Sequence, residues 1–395
     1  MDNLVFKVSI VGPSRVGKTS LIAALLANAE KYLEGSPVTL KPTSLATEKR
    51  LSHHQRELEG SILAGEIESK LGGLSGTQEA NVFELKLSTI ADSSLGMNIH
   101  LLDFPGGWID PGKRTKELSE EWDKCKKWIG ESSILMIPID ATILMESETS
   151  KHRASIPTIL GTPEVKSVVK EWAKARREHA HKDPALLILC PVKCETYFND
   201  NGGMRNASRK LLDEVRSVYQ GIIDVAIAEE PACRIMYCPI DTLGCVEVKS
   251  ARWQESDGNG LELEVFYKFR YAKKIKPKAI ESLLISISKQ LVSKIQEEEA
   301  SKTTNLENEA KNADDLAAVK SSEAKNAGFF DKVSDWFNDK GWNYREREAS
   351  RACQDAKSKG DAATLAQQRM ISAQDAMKMF AGLKKDERVH DIDPL

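Results

Sequence analysis

The residues Gly12-Pro13-Ser14-Arg15-Val16-Gly17-Lys18-Thr19 fit the pattern G-x-x-x-x-G-K-[ST]. Residues 6–11 before them read as a buried strand, and residues 20–26 after them as a helix. In that setting the loop's backbone N–H groups and the helix N-terminus face an anion. Lys18 would reach the outer phosphates of a nucleotide, and the Thr19 hydroxyl would ligate Mg²⁺. Gly12, Ser14, Arg15, Val16, Gly17, Lys18, Thr19 and Ser20 are thus the expected phosphate-side contacts. Asp103 ends a second apolar run and opens Asp103-Phe104-Pro105-Gly106, which fits D-x-x-G. An aspartate there can hold the magnesium shell through water, and the Gly106 N–H can bond a γ-phosphate. A threonine should complete the metal site. Thr43 and Thr77 are both candidates, and Thr77 is favoured because it directly precedes the strand that starts near Val82.

Two further loops address the base. Ala185 to Cys190 runs into Pro191-Val192-Lys193-Cys194-Glu195. The pattern [NT]-K-x-D belongs at such a position, its carboxylate accepting two hydrogen bonds from guanine and its lysine stem lying on the ring. Lys193 is in register, Val192 replaces Asn/Thr, and Glu195 replaces Asp. Guanine is the preferred base, with adenine or no preference the alternative. Ile240 and Asp241, before Thr242-Leu243-Gly244, occupy the last base-contacting loop. Gly107 and Trp108 follow D-x-x-G, where the resemblance to Ras-type hydrolases given below implies a water-orienting glutamine. Hydrolysis is then slow, uses another residue such as Gln78, or needs a partner; Arg15 is a candidate for neutralising transition-state charge.

These loops require strands that end beside one another. Apolar runs at 133–140, 185–190 and 234–239 alternate with helical patterns at 118–128, 164–179 and 209–228, and a closing helix is expected at 277–294. That alternation predicts an α/β fold with a mostly parallel sheet flanked by helices. Strands at 82–87 and 97–103 form the expected antiparallel hairpin, with a turn at 92–96. Residues 244–264 read as a peripheral hairpin turning at Asp257-Gly258-Asn259-Gly260.

The chain has 395 residues, 41% of them apolar and 6% aromatic, with a net charge of −3. Near neutrality gives no global argument for nucleic acid or an anionic membrane. The first residues do not pattern as a signal peptide, and no apolar run is long enough to span a bilayer. Seven cysteines without an export signal suggest reduced thiols and a cytoplasmic location. The spacing of Cys190, Cys194, Cys233 and Cys238 is not that of a zinc ribbon, so buried structural cysteines are expected. The predicted organisation is a nucleotide-binding domain at 1–295, including a helix-leaning insertion at 30–76 made mobile by Gly72-Gly73. A polar linker, disordered or marginally helical, follows at 296–327, then a helical C-terminal arm at 328–395. Phe329, Phe330, Val333, Trp336 and Phe337 fall on one helical face of that arm.

Taken together, the P-loop, Thr77-Gln78-Glu79 with Phe83-Glu84-Leu85, Asp103 to Trp108, Val192 to Glu195 and Thr242-Leu243-Gly244 resemble the translation-factor-like, Ras-type P-loop GTPases. Within them, the segments 77–85, 103–108 and 242–244 are most similar to the double-GTPase families of bacterial conflict and defence systems. The resemblance covers about residues 4–295. It implies GTP/GDP and Mg²⁺ as cofactors, metal contacts from Thr19, Thr77 and Asp103, and catalytic roles for Lys18, Thr77, Gly106 and Gln78. It also implies nucleotide-dependent signalling to a protein effector or activating protein, through the switch regions or the C-terminal arm.

Overall fold

The computed structural model describes residues 5–26, 29, 33–63, 77–90, 96–178, 185–255, 260–270, 274–326, 344–383 and 386–392. The expected turns at 92–95 and 257–259, the Gly72-Gly73 segment and the apolar face at 329–337 lie outside the described residues. The chain divides into two compact units. One comprises Met1–Ser88, Gly96–Ser288 and Leu383–Leu395; the other comprises Thr89–Leu95 and Lys289–Gly382.

The first unit is an α/β layer structure. Its strands are β1 (Val5–Ile10), β2 (Val38–Pro42), β3 (Asn81–Thr89), β4 (Gly96–Asp103), β5 (Ile134–Asp140), β6 (Leu186–Val192), β7 (Arg234–Tyr237), β8 (Val246–Glu255), β9 (Leu261–Phe269) and β10 (His390–Asp391). Its helices are α1 (Lys18–Leu26), α2 (Leu45–Leu63), α3 (Lys116–Gly130), α4 (Ala141–Met145), α5 (Ser150–Ile159), α6 (Thr162–Glu178) and α7 (Ser208–Glu229). Eight strands form one sheet in the order β10-β7-β6-β5-β1-β4-β3-β2, and β8 pairs with β9 alone. Strands β4, β1, β5, β6 and β7 run parallel. Pairing of β3 with β4 is antiparallel, as the hairpin pattern predicts.

Central strands β5 and β6 are buried at every residue, because helices cover both faces of a parallel sheet. Trp172 on α6 is fully buried and donates from Nε1 to the Ser132 carbonyl at 2.7 Å, which fixes that helix to the entry of β5. The sheet order turns around β1, with β4 on one side and β5 on the other. In open α/β sheets that switch point, at the carboxyl ends of the strands, is where ligands bind.

The structure departs from the sequence reading in three places. Residues 38–42, inside the expected helical insertion, form β2. Val38-Thr39-Leu40 between Pro37 and Pro42 is too short a run to stand out as a strand. Residues 296–326, expected as a polar linker either disordered or marginally helical, are helical throughout and continue the closing helix as α8 (Ile280–Asn326). Its composition is rich in strong helix formers and holds neither Gly nor Pro, so nothing stops it. Finally, residues 386–392 do not extend the helical arm. They return to the α/β unit, where β10 pairs antiparallel with β7.

In the second unit, the later part of α8 and α9 (Tyr344–Gly382) pack through Ala313, Ala317 and Ala356, with Ala352 beside them. Small side chains four residues apart lie on one face of each helix and let the two approach closely. Among the described residues, no helix is long and apolar enough to cross a membrane.

Candidate functional site

The loop between β1 and α1 is built around two left-handed residues, Arg15 at φ +66° and Gly17 at φ +103°. Arg15 is exposed, as is Ser14, whereas Val16 is 3% exposed and fixes the loop from beneath. Gly12 packs with Val16 at the start of the loop, and Ser20 follows Thr19 in the first turn of α1. Lys18 Nζ donates to the carbonyls of Gly12 and Pro13, both at 3.0 Å, so its ammonium lies across the loop. Burial lowers its pKa to about 8, against the opposing charge of Asp103.

Three predicted metal-site residues come together. Thr77 Oγ1 donates to Asp103 Oδ2 at 2.7 Å and lies 3.1 Å from Thr19 Oγ1. Since the Thr77 proton is committed to Asp103, the Thr19 hydroxyl donates in turn to Thr77. Asp103 is 2% exposed, and its other oxygen, Oδ1, is buried with no hydrogen-bond partner. Burial pushes the Asp103 carboxyl up, while the Thr77 hydroxyl and then Lys18 pull it down. Two hydroxyls and an orphaned carboxylate oxygen form a hard donor set that fits Mg²⁺ together with phosphate oxygens. No group of three or more His, Cys, Asp or Glu among the described residues makes a competing metal site. Thr43 ends beside β2, where its amide bonds Glu84 O at 3.0 Å.

Gly106, three residues after Asp103, lies against the loop between β1 and α1. A Cβ there would lie 2.3 Å from Pro13 C and from Ser14 N, so only glycine allows the turn to touch the loop. The turn is a 3-10 element, Gly106–Ile109, held by Trp108 N–H donating to Pro105 O and by Arg114 donating to the carbonyls of Trp108 and Ile109. Trp108 is buried, Gly107 has no side chain, and Gln78 is exposed.

The two base-loop candidates lie after β6 and β7. Lys193 is left-handed at φ +59°, and its Nζ pairs with the Asp140 carboxylate at the end of β5. Asp140 also caps α4 through the Thr142 amide and hydroxyl. Glu195 is 2% exposed, and its Oε1 accepts from the amides of Leu243 at 2.9 Å and Gly244 at 3.2 Å. Burial first, then the charge of Asp241, raises its pKa to about 7. Ile240 and Asp241 are fully buried. The Ile240 amide bonds Pro191 O at 2.7 Å, which ties the two loops together. Asp241 is taken up by Arg388 and by Asn201 Nδ2 at 3.0 Å. Gly244, at φ +68°, would drive a Cβ to 1.7 Å from Lys276 O.

Sequence reasoning missed Asp140, Asn201, Arg270 and Arg388. Arg270 spans both loops, donating to the carbonyls of Glu195, Asn201 and Gly244. Asp140 could have been found as the acidic end of an apolar strand. The two arginines and Asn201 carry no local signal.

The strand order, the loop after β1 and the carboxylate ending β4 define a P-loop α/β fold. No protein-family model matches the chain, and no curated protein matches it. Among solved structures, it is similar to the S. cerevisiae Ski7 GTPase-like domain bound to GTP, at 13% identity and TM-score 0.33. That match covers 61% of this chain and 43% of the other, so the chain spans less than half of the Ski7 chain's length. It is also similar to the signal recognition particle receptor SRb-GTP/SRX complex from Chaetomium thermophilum, at 11% identity and TM-score 0.31, covering 60% of this chain and 93% of that one.

Proposed function

We propose that this chain is a cytoplasmic GTP-binding switch that hydrolyses GTP to GDP and signals its nucleotide state to a protein effector. The observation that carries the reading is the Thr19–Thr77–Asp103 chain of oxygens, with an orphaned Asp103 oxygen, set between the P-loop and Gly106. Thr19 and Thr77 would hold Mg²⁺, with Asp103 behind them. The metal would supply charge neutralisation on the β- and γ-phosphates. Lys18 leaves the carbonyls of Gly12 and Pro13 to pair with phosphate oxygens. The loop amides and the Gly106 N–H stabilise charge on the transferring group. Water attacks the γ-phosphorus in line, the bond to the β–γ bridging oxygen breaks with its electron pair staying on GDP, and both water protons leave on the released dihydrogen phosphate. Gln78 is the candidate for orienting that water. Lys193 and Glu195 support guanine over adenine, and Ile240 backs the base from the neighbouring loop. The resemblance to double-GTPases extends the proposal to a role in bacterial defence, with the helical unit as the surface offered to a partner.

A second reading, a nucleotide-binding scaffold with negligible turnover, is favoured by one observation: Gly107 and buried Trp108 leave no side chain after D-x-x-G to orient water. Binding of fluorescent GTP and ATP analogues with and without Mg²⁺ tests the first reading. GTP preference lost in Lys18→Ala, and magnesium dependence lost in Thr77→Ala, are the expected results; equal ATP binding would remove the guanine assignment. Phosphate release measured on the same protein separates switch from scaffold.

A further inference from the structure

The segment 386–392 reaches the α/β unit only after the whole helical unit has been traversed in sequence, yet it ends at the base loops. Arg388 Nη1 and Nη2 donate to the two oxygens of Asp241 at 2.9 and 3.1 Å. Its Nε donates to Asp200 Oδ2 at 2.8 Å, and Nη2 also bonds Asp200 Oδ1. The guanidinium lies over the Phe198 ring, 4.0 Å from its centroid. One planar cation thus grips two carboxylates, one in the loop after β6 and one in the loop after β7. Such forked, charge-assisted pairing fixes geometry as well as distance, which an ammonium cannot reproduce. Asn201 joins the same cluster, donating to Asp241 and to Lys276 O, both at 3.0 Å. The segment is also held by two paired residues of β10, the Arg234 guanidinium on Asp391 at 2.9 and 3.1 Å, the His390 ring against Tyr237, the Ile392 amide on Ile235 O at 2.8 Å, and the buried Ile392 side chain.

We propose that Arg388 is a positioning residue for base recognition: it holds the loops 193–201 and 240–244 in register, and so sets the affinity for the nucleoside part of the nucleotide. The inference rests on the assignment of these loops to the base. Arg388 touches neither the phosphate loop nor the Thr19–Thr77–Asp103 cluster in the contacts described, so its effect is confined to the base end. Loss of the grip lowers the population of base-competent loops, and affinity falls in proportion to that population.

The test uses the full chain and two probes, GDP and inorganic tripolyphosphate, the second engaging only the phosphate loop. Arg388→Ala should weaken GDP binding about 10-fold and leave tripolyphosphate binding unchanged. Arg388→Lys should restore part of the GDP affinity, because it returns the charge without the fork. Asp200→Asn, at a half-exposed carboxylate, should shift GDP in the same direction by less, and it serves where the alanine variant fails to fold. Equal weakening of both probes, or no change in either for folded variants, overturns the positioning role. Wild-type protein that binds GDP no better than tripolyphosphate overturns the base-loop assignment itself, and the role of Arg388 with it.

Discussion

The two units hold themselves together in different ways. The α/β unit buries large side chains, Trp172, Tyr197, Tyr219, Phe83 and Phe104 among them, in a core fed by every layer. The helical unit clusters Ala313, Ala317 and Ala356 and buries Ala363, Ala366 and Ala373 as well, with Leu291, Val292 and Phe380 as larger buried side chains, while Leu316, Val319, Leu365, Ile371 and Met379 are exposed. Each buried methyl contributes far less than a buried aromatic ring. The first unit therefore depends on filling volume, the second on closeness of approach. The difference teaches where rigidity is placed: large-residue packing lies under the loops that must keep their geometry, and the alanine seam lies away from them in sequence.

Four substitutions break or sharpen this contrast. Trp172→Ala should cost the α/β unit about 3–5 kcal/mol in denaturant unfolding, since it opens a cavity and strips the Ser132 carbonyl of a partner. Gly106→Ala leaves the core intact but forces the turn off the P-loop; overpacking of about 1–3 kcal/mol should appear as a 10- to 100-fold loss of GTP affinity. Ala373→Leu should destabilise the helical unit by about 1–3 kcal/mol, visible as a lowered Tm of its helical signal, although it adds apolar surface. The gentlest test concerns Glu195. Its carboxyl titrates near pH 7 when folded against 4.5 when free, so between those values the folded chain holds the extra proton. Stability from this group is then present at acid pH and is lost as pH rises through 7. Glu195→Gln should flatten that slope in unfolding measured between pH 5 and 8; an unchanged slope would place the proton elsewhere.

The juxtaposition of Thr19, Thr77 and Asp103, the proposed phosphate end, was legible in the sequence because its pattern is local. A glycine loop, a lysine and a hydroxyl must be adjacent to cradle an anion, and Asp103 and Thr77 betray themselves at strand boundaries. The base end was legible only in outline. Lys193 and Glu195 stand where a pattern predicts, but the partners that orient them come from β5, from the end of β9 and from beyond the helical unit. An ion pair such as Arg388 with Asp241 has no period and no spacing, so nothing in the residues around either one announces it. For 296–326 the sequence left disorder and marginal helix both open, because alanine looks the same in a solvated segment and in a packed helix; the chain there is helical. Strand β2 escaped because two prolines left it only five residues, and a strand that short carries too few alternations to register.

The return of residues 386–392 to the sheet also sets an order of events during synthesis. Strands β1 to β7 and the phosphate loop leave the ribosome long before Arg388 does, with the helical unit translated in between. N-terminal elements fold first as a chain is made. A nascent chain can therefore assemble its phosphate site while Asp241 is buried beside an unfilled place for its cation. The completed grip on both loops becomes a late signature of a chain translated through its helical unit; on the proposed function, a message truncated within that unit would yield a protein that holds phosphate without a settled base end.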